Sequence, residues 1–232
     1  INPETDPNTN TSKLGLQLVR SMIMFVFIFL LMAAGLSIGG YIYYKNYEKQ
    51  FRGQVERQLS TVAEMKVNEL VDWRNERLGD AYSIYQNAGF TDLARRALNK
   101  PTDTQAQEQL LSWMSSIQNR YQYDRVFLLD TQAVERFSIP NNPEVVEAHL
   151  KEDTAQVIRS KQVTFLDFHR DSSTSLIRLA ILIPILTEAD NQPLGVLILR
   201  IDPKTHFYTY INEWPIPSNT GESLLVRRDG ND

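Results

Sequence analysis

Residues 21–44 (SMIMFVFIFLLMAAGLSIGGYIYY) carry no charged side chain. As a helix rising about 1.5 Å per residue they reach roughly 36 Å, more than the ~30 Å hydrocarbon core of a bilayer. A helix apolar on every side has no face to offer water, so it needs lipid or a large enclosing core. The rest of this 232-residue chain is too polar and too small to wrap it. A cleaved signal peptide is the first competing reading, and Ala33-Ala34-Gly35 offers small residues to a peptidase; its apolar stretch runs only about 7–15 residues, however. A buried core helix is the second, and it would show a polar stripe. We read the segment as a retained membrane span, with Tyr41, Tyr43, Tyr44 and Tyr47 forming an interfacial aromatic belt at one end.

Charge alone points the other way for orientation. Lys13 and Arg20 precede the span, whereas Lys45, Lys49, Arg52 and Arg57 follow it, so a positive-inside count places the C-terminal side in the cytoplasm. That rule governs short loops, and long domains cross regardless of charge. The formal net charge of −4 gives no sign of a nucleic-acid partner. With no cysteine there are no disulfides, no thiolate catalysis and no cysteine metal sites. The chain opens on Ile1 and stops in a turn-like RRDGND, as expected of a piece of a longer protein.

Five segments are expected. Residues 1–13 are polar and too poor in apolar surface to fold, a disordered tail. Residues 14–45 hold the transmembrane helix. Residues 46–90 form a long stalk helix: Phe51, Val55, Leu59 and Val62, then Ala63, Val67, Leu70, Arg74, Leu78, Ala81 and Tyr85, recur at helical spacing, with Val71 and Trp73 beside them. Residues 91–213 form a domain, and 214–232 a linker with the truncated start of a second lobe. Within the domain, Thr91 caps a short helix at 92–98, and a second helix at 103–120 presents Ala106, Leu110, Trp113 or Met114, Ile117 and Tyr121 on one face. Strands are expected at 125–130, 134–139, 163–169, 176–186 and 194–201, with an antiparallel hairpin turning at 190–193. A helix opens at Asn142-Pro143 and runs to about 160; Asp202-Pro203 caps another at 204–212; a further strand begins at 222–228. Helices grouped around one five-stranded sheet, mainly on one face, make an α+β fold.

The stretches YQYDRVFLLD (121–130), FLDFHRD (165–171), PLGVLILRID (193–202) and WPIPS…GESLLVRRDG (214–230), set behind a span and a long helix, resemble the double Cache (PAS-like) sensor regions of bacterial and archaeal membrane receptors. The resemblance covers roughly residues 14–232. It implies a PAS-like five-stranded antiparallel sheet with flanking helices, an extracytoplasmic domain, and a missing remainder. That remainder is the rest of the second lobe, a returning span and a cytoplasmic histidine kinase or diguanylate cyclase module.

A pocket in such a domain needs polar groups on strands that are otherwise apolar. Arg136 and Ser138 on the second strand, Asp167 and His169 sharing a face of the third, Arg178 within the aliphatic fourth, and Trp113, Tyr121 and Tyr123 from the preceding helix end are the candidate ligand-binding residues. Arginine with aromatics suits a carboxylate-bearing ligand, because guanidinium donates two parallel hydrogen bonds to a carboxylate. Each has a plainer reading. Arg136, Arg178 and Arg200 fit the solvated face of a strand. Asp202 fits a helix cap and Asp130 a turn, while His169, Arg170 and Asp171 fit a salt link to Asp167. His149, His169 and His206 lie on separate elements without ligand spacing, so no metal site is expected. No cofactor is implied, and no catalytic motif is present, so this segment is not read as an enzyme.

Two functional readings remain. One is an extracytoplasmic ligand-sensing domain of a plasma-membrane receptor, a homodimer that relays small-molecule binding through the stalk helix and the bilayer. The other is a membrane-tethered interaction module without a small ligand, using Phe207, Tyr208 and Tyr210 for partner contact.

Overall fold

The computed structural model describes residues 8–142, 145–171, 174–205, 207–214 and 221–226. The chain divides into two compact units, Ile1–Thr61 and Val62–Asp232.

The first unit is the opening part of helix α1 (Asn8–Tyr85), whose 78 residues contain no proline to interrupt the backbone ladder. The helix begins at Asn8, so residues 8–13 of the expected disordered tail are helical; residues 1–7 lie outside the described residues. No residue of its most apolar window is buried, and among the described residues this one helix is long and apolar enough to cross a membrane. Glu48 pairs with Lys45 at 3.4 Å and Arg52 at 3.0 Å, the one-turn pairing of a solvated helix surface.

In the second unit the last turns of α1 enter the core through Ala81 and Ile84, with Trp73 and Tyr85 half-buried; Val67 and Val71 of the expected stripe are exposed. Helix α2 (Ala88–Asn99) is capped by Asn87, whose side chain accepts from Phe90 N at 2.9 Å. Thr91, the expected cap, is buried inside the helix instead. Helix α3 (Thr104–Tyr121) starts at Asp103, whose carboxylate accepts from Ala106 N at 3.0 Å. It buries Ala106, Leu110, Met114 and Ile117, the stripe its spacing predicts.

Strands β1 (Arg125–Asp130), β2 (Glu135–Ile139), β3 (Thr164–Arg170), β4 (Ile177–Leu186) and β5 (Pro193–Ile201) form one sheet in the order β2-β1-β5-β4-β3, antiparallel throughout. Side chains alternate between its faces. Val126, Leu128, Ile181, Ile183, Leu197 and Leu199 pack with α1–α3. Phe127, Leu129, Leu182, Val196 and Ile198 pack on Leu150 and Val157 of helix α4 (Ala148–Ser160). Both faces are therefore covered, which is why β4 and β5 read as continuous apolar runs.

Several boundaries move. Strand β2 starts after Val134, because the Asp130 carboxylate holds the amides of Gln132 and Val134 at 2.9 and 3.0 Å in a turn. Helix α4 opens at Ala148 rather than near Asn142, and residues 145–147 are irregular; Pro143 lies outside the described residues. Helix α5 (Phe207–Asn212) starts late because residues 203–205 form a turn, with Asp202 accepting from Lys204 N at 2.9 Å. Residues 222–226 hold no strand, and the rest of that expected strand, like linker residues 215–220, lies outside the described residues.

Candidate functional site

Apolar side chains dominate the α4 face of the sheet, and a patch of charge interrupts them. Arg125 opens β1 on the same side as Phe127 and Leu129, and only 2 % of it is exposed. Its guanidinium donates to Glu135 Oε1 at 2.8 Å and to the Asn142 carbonyl at 2.7 Å, and it lies 5.0 Å from the Phe127 ring centroid. Arg125 sits opposite Arg200, and Arg200 opposite Ala180, so one row of the sheet carries two guanidinium groups. That row ends at Leu166 of β3, and beyond a register shift His169 pairs with Arg178 in a neighbouring row. Asp171, also 2 % exposed, closes the patch just past β3.

The irregular segment before α4 roofs this patch. Residues Val145, Val146, Glu147 and Leu150 line a cavity of about 20 Å³ together with Arg125, Glu135, His169, Asp171 and Arg200. His149 in the first turn of α4 stands 4.9 Å from the His169 ring, and its Nδ1 lies 3.1 Å from Glu147 Oε2. Two buried polar atoms here make no hydrogen bond: Glu135 Oε2 and His149 Nε2. A buried polar group without a partner costs about 1–3 kcal/mol, so these two atoms mark the place on the sheet face where a polar partner would be most favourable.

Beside the cavity lies an ion-pair network. Arg200 Nε donates to Asp124 Oδ2 at 2.8 Å; Arg178 reaches the same oxygen at 3.7 Å and Asp202 at 2.8 Å. Burial pushes the Asp124 carboxyl above its ordinary value, against the pull of Arg200 and Arg178. Arg178, the most conspicuous arginine in the sequence, is thus engaged in holding β4 to the chain on either side of β1 and β5, and it does not line the cavity.

The other expected site residues disperse. Ser138 is buried opposite Phe127 on the α4 face. Arg136 does not share its setting: a register shift lies beside it, and its half-exposed side chain pairs with Asp130 at 2.7 Å in the turn. Asp167 and His169 do not share a face, because β3 shifts register between Leu166 and His169. Asp167 instead caps Phe168 N at 2.8 Å on the rim of a different cavity. The expected salt link to Asp167 is absent: His169 meets its backbone carbonyl at 3.0 Å, and Arg170 donates to Ser175 O at 2.9 Å. Trp113, Tyr121 and Tyr123 lie across the sheet, on the α1–α3 side. Of the aromatics expected to meet a partner, Tyr210 is exposed, but Phe207 is buried against Trp73 and Phe168.

A further cavity, about 900 Å³, is an open apolar groove lined by α1, β3, β4, α5 and Leu225 and Val226, with Arg74 and Asp167 as its charged groups. Its chemistry offers bulk burial and little orientation. No group of three or more potential metal ligands exists among the described residues.

No family model and no curated protein matches the chain. Among solved structures it is similar to the sensor domain of the V. cholerae histidine kinase DctB, with a TM-score of 0.52 at 12% identity, over 71% of this chain and 62% of that one. It is also similar to the ligand-binding domain of the Pseudomonas fluorescens chemoreceptor CtaA in complex with L-serine, at a TM-score of 0.49, 14% identity, and 69% and 64% coverage. The chain spans less than two thirds of the length of either. The helix-flanked five-stranded antiparallel sheet therefore shares its fold with that DctB sensor domain, the kind of fold the Cache resemblance implied.

Proposed function

We propose that the second unit is an extracytoplasmic ligand-sensing domain, held to the membrane by the apolar part of α1. Binding is relayed through α1 to a cytoplasmic output module, in a receptor that works as a dimer. The observation that carries this reading is the buried patch of opposite charges on the α4 face, roofed by residues 145–147. Guanidinium groups at Arg125 and Arg200 suit a carboxylate, and Glu135 with its unpaired oxygen suits an ammonium, so the ligand is a small zwitterion. A cavity of about 20 Å³ admits little more than one water. Ligand entry therefore displaces the roof, and bound ligand replaces the contacts the roof now makes.

The test is a thermal-shift screen of the full chain in detergent against amino acids, simple carboxylates and amines. An amino acid stabilises the domain in proportion to ln(1 + [L]/Kd), about 2.7 kcal/mol at a hundredfold excess over Kd. Glu135→Gln weakens that affinity about tenfold, because it removes a charge-assisted bond. Silence across the screen overturns this reading and favours the membrane-tethered interaction module.

A further inference from the structure

Across the sheet from that patch, α1 and the corner between α3 and β1 enclose a cavity of about 440 Å³. Trp73 from α1, Tyr121 from the last turn of α3 and Tyr210 from α5 supply aromatic walls. Two groups lining it carry unused donors. Tyr123 is 4 % exposed, and its hydroxyl, which the Arg77 guanidinium approaches, donates no hydrogen bond. Arg77 Nε is likewise buried without a partner. Its other nitrogens meet Asp80 at 3.3 Å and, at 2.8 Å, Glu76, whose carboxylate also lines the cavity and is held by that pair. The Arg77 guanidinium lies 5.2 Å from the Tyr121 ring centroid. A third group, Arg120, is exposed on the cavity rim, and no ion pair reaches it among the described residues. Burial pushes the Tyr123 phenol above its ordinary value although Arg77 pulls it down, so it keeps its proton and acts as a donor.

Two buried donors and a rim guanidinium call for an acceptor with more than one oxygen, and flat aromatic walls call for a flat body. We propose that this cavity is a second ligand site, which takes a small planar aromatic carboxylate. The carboxylate meets the Tyr123 hydroxyl, Arg77 Nε and Arg120, and the ring packs on Trp73 and Tyr210. An ordered water satisfies the donors as well, but it makes no use of the walls. The site has a consequence for α1. Trp73 and Arg77 belong to that helix, and Tyr123 adjoins Asp124, the aspartate that holds Arg200 and Arg178. An occupant here fastens α1 to the root of β1. This site does not depend on the zwitterion reading of the α4 face.

Titration calorimetry of the full chain in lipid nanodiscs tests the site, with benzoate as probe and benzyl alcohol as the ring without the acid. Benzoate binds and benzyl alcohol binds at least about tenfold more weakly, the cost of losing a charge-assisted contact. Tyr123→Phe and Arg120→Gln each weaken benzoate about tenfold, whereas Glu135→Gln on the other face leaves it unchanged. Arg120 is exposed, so its substitution reports even if Tyr123→Phe perturbs folding. No benzoate binding, binding that survives Arg120→Gln, or binding lost with Glu135→Gln overturns the proposal; the first of these leaves an ordered water as the occupant.

Discussion

Asp124 and Asp130 bracket β1 and are driven in opposite directions. Asp124 is raised by burial despite two guanidinium partners. At Asp130 burial also pushes upward, but bonds from Val134 N, Arg136 and Gln132 N outweigh it and hold the carboxyl below its ordinary 3.8. By linkage, the penalty from ionising Asp124 is absent below its unfolded value and complete above its raised folded one. The stability from Asp130 is complete above its unfolded value and lost as pH falls through its lowered folded one. Asp130→Ala therefore lowers stability at pH 7 by about 1–2 kcal/mol, the value of the bonds removed. The gap to the unsubstituted chain narrows as pH drops below 3.8, read as thermal unfolding followed by circular dichroism. A gap constant from pH 7 to the acid end would contradict that account. Asp130 was legible as a turn residue, because its partners lie within six positions. Asp124 was not, because the arginine it holds most closely is 76 residues away. The same long reach hid Arg125, whose one visible sign is a charge at a position matching Phe127 and Leu129.

Elements were more legible than their ends. All five strands lie where alternation and apolar runs place them, since a strand buried on a sheet face states its period locally. Caps and bulges do not. Asn87 rather than Thr91 starts α2, and a register shift in β3 parts Asp167 from His169, because a single extra residue reverses every side chain beyond it. Pairing geometry also explains Gly195. It sits opposite Asp130, and a Cβ there would stand 2.1 Å from the Leu129 carbonyl oxygen. No side chain can yield at that contact, so β5 itself must shift. Gly195→Ala is expected to cost about 1–3 kcal/mol, as overpacking does. It should appear in urea unfolding as a lower midpoint with an unchanged slope. An unaltered midpoint would mean that β1 and β5 are less closely joined at this end than the pairing implies.

At the scale of the molecule, the long apolar helix and the sheet were both plain in the sequence, yet the site was not assembled from it. The eight expected residues fall on two sides of one sheet, and only the order β2-β1-β5-β4-β3 decides which meet. That order joins β1 to β5, an association with no local trace. Every fully buried apolar side chain among the described residues lies at or after Ala81, and the earliest that packs against the core is Trp73. No residue of the most apolar window of α1 is buried. A chain trimmed to residues 62–232 keeps both apolar clusters and all five strands. We expect it to be soluble and to unfold in one transition, with a midpoint within about 2–4 °C of the same domain in the full chain, equivalent to roughly 1 kcal/mol at this size. Circular dichroism and calorimetry on the two chains make the comparison. A broad, uncooperative transition in the trimmed chain would show that residues 8–61 support the sheet.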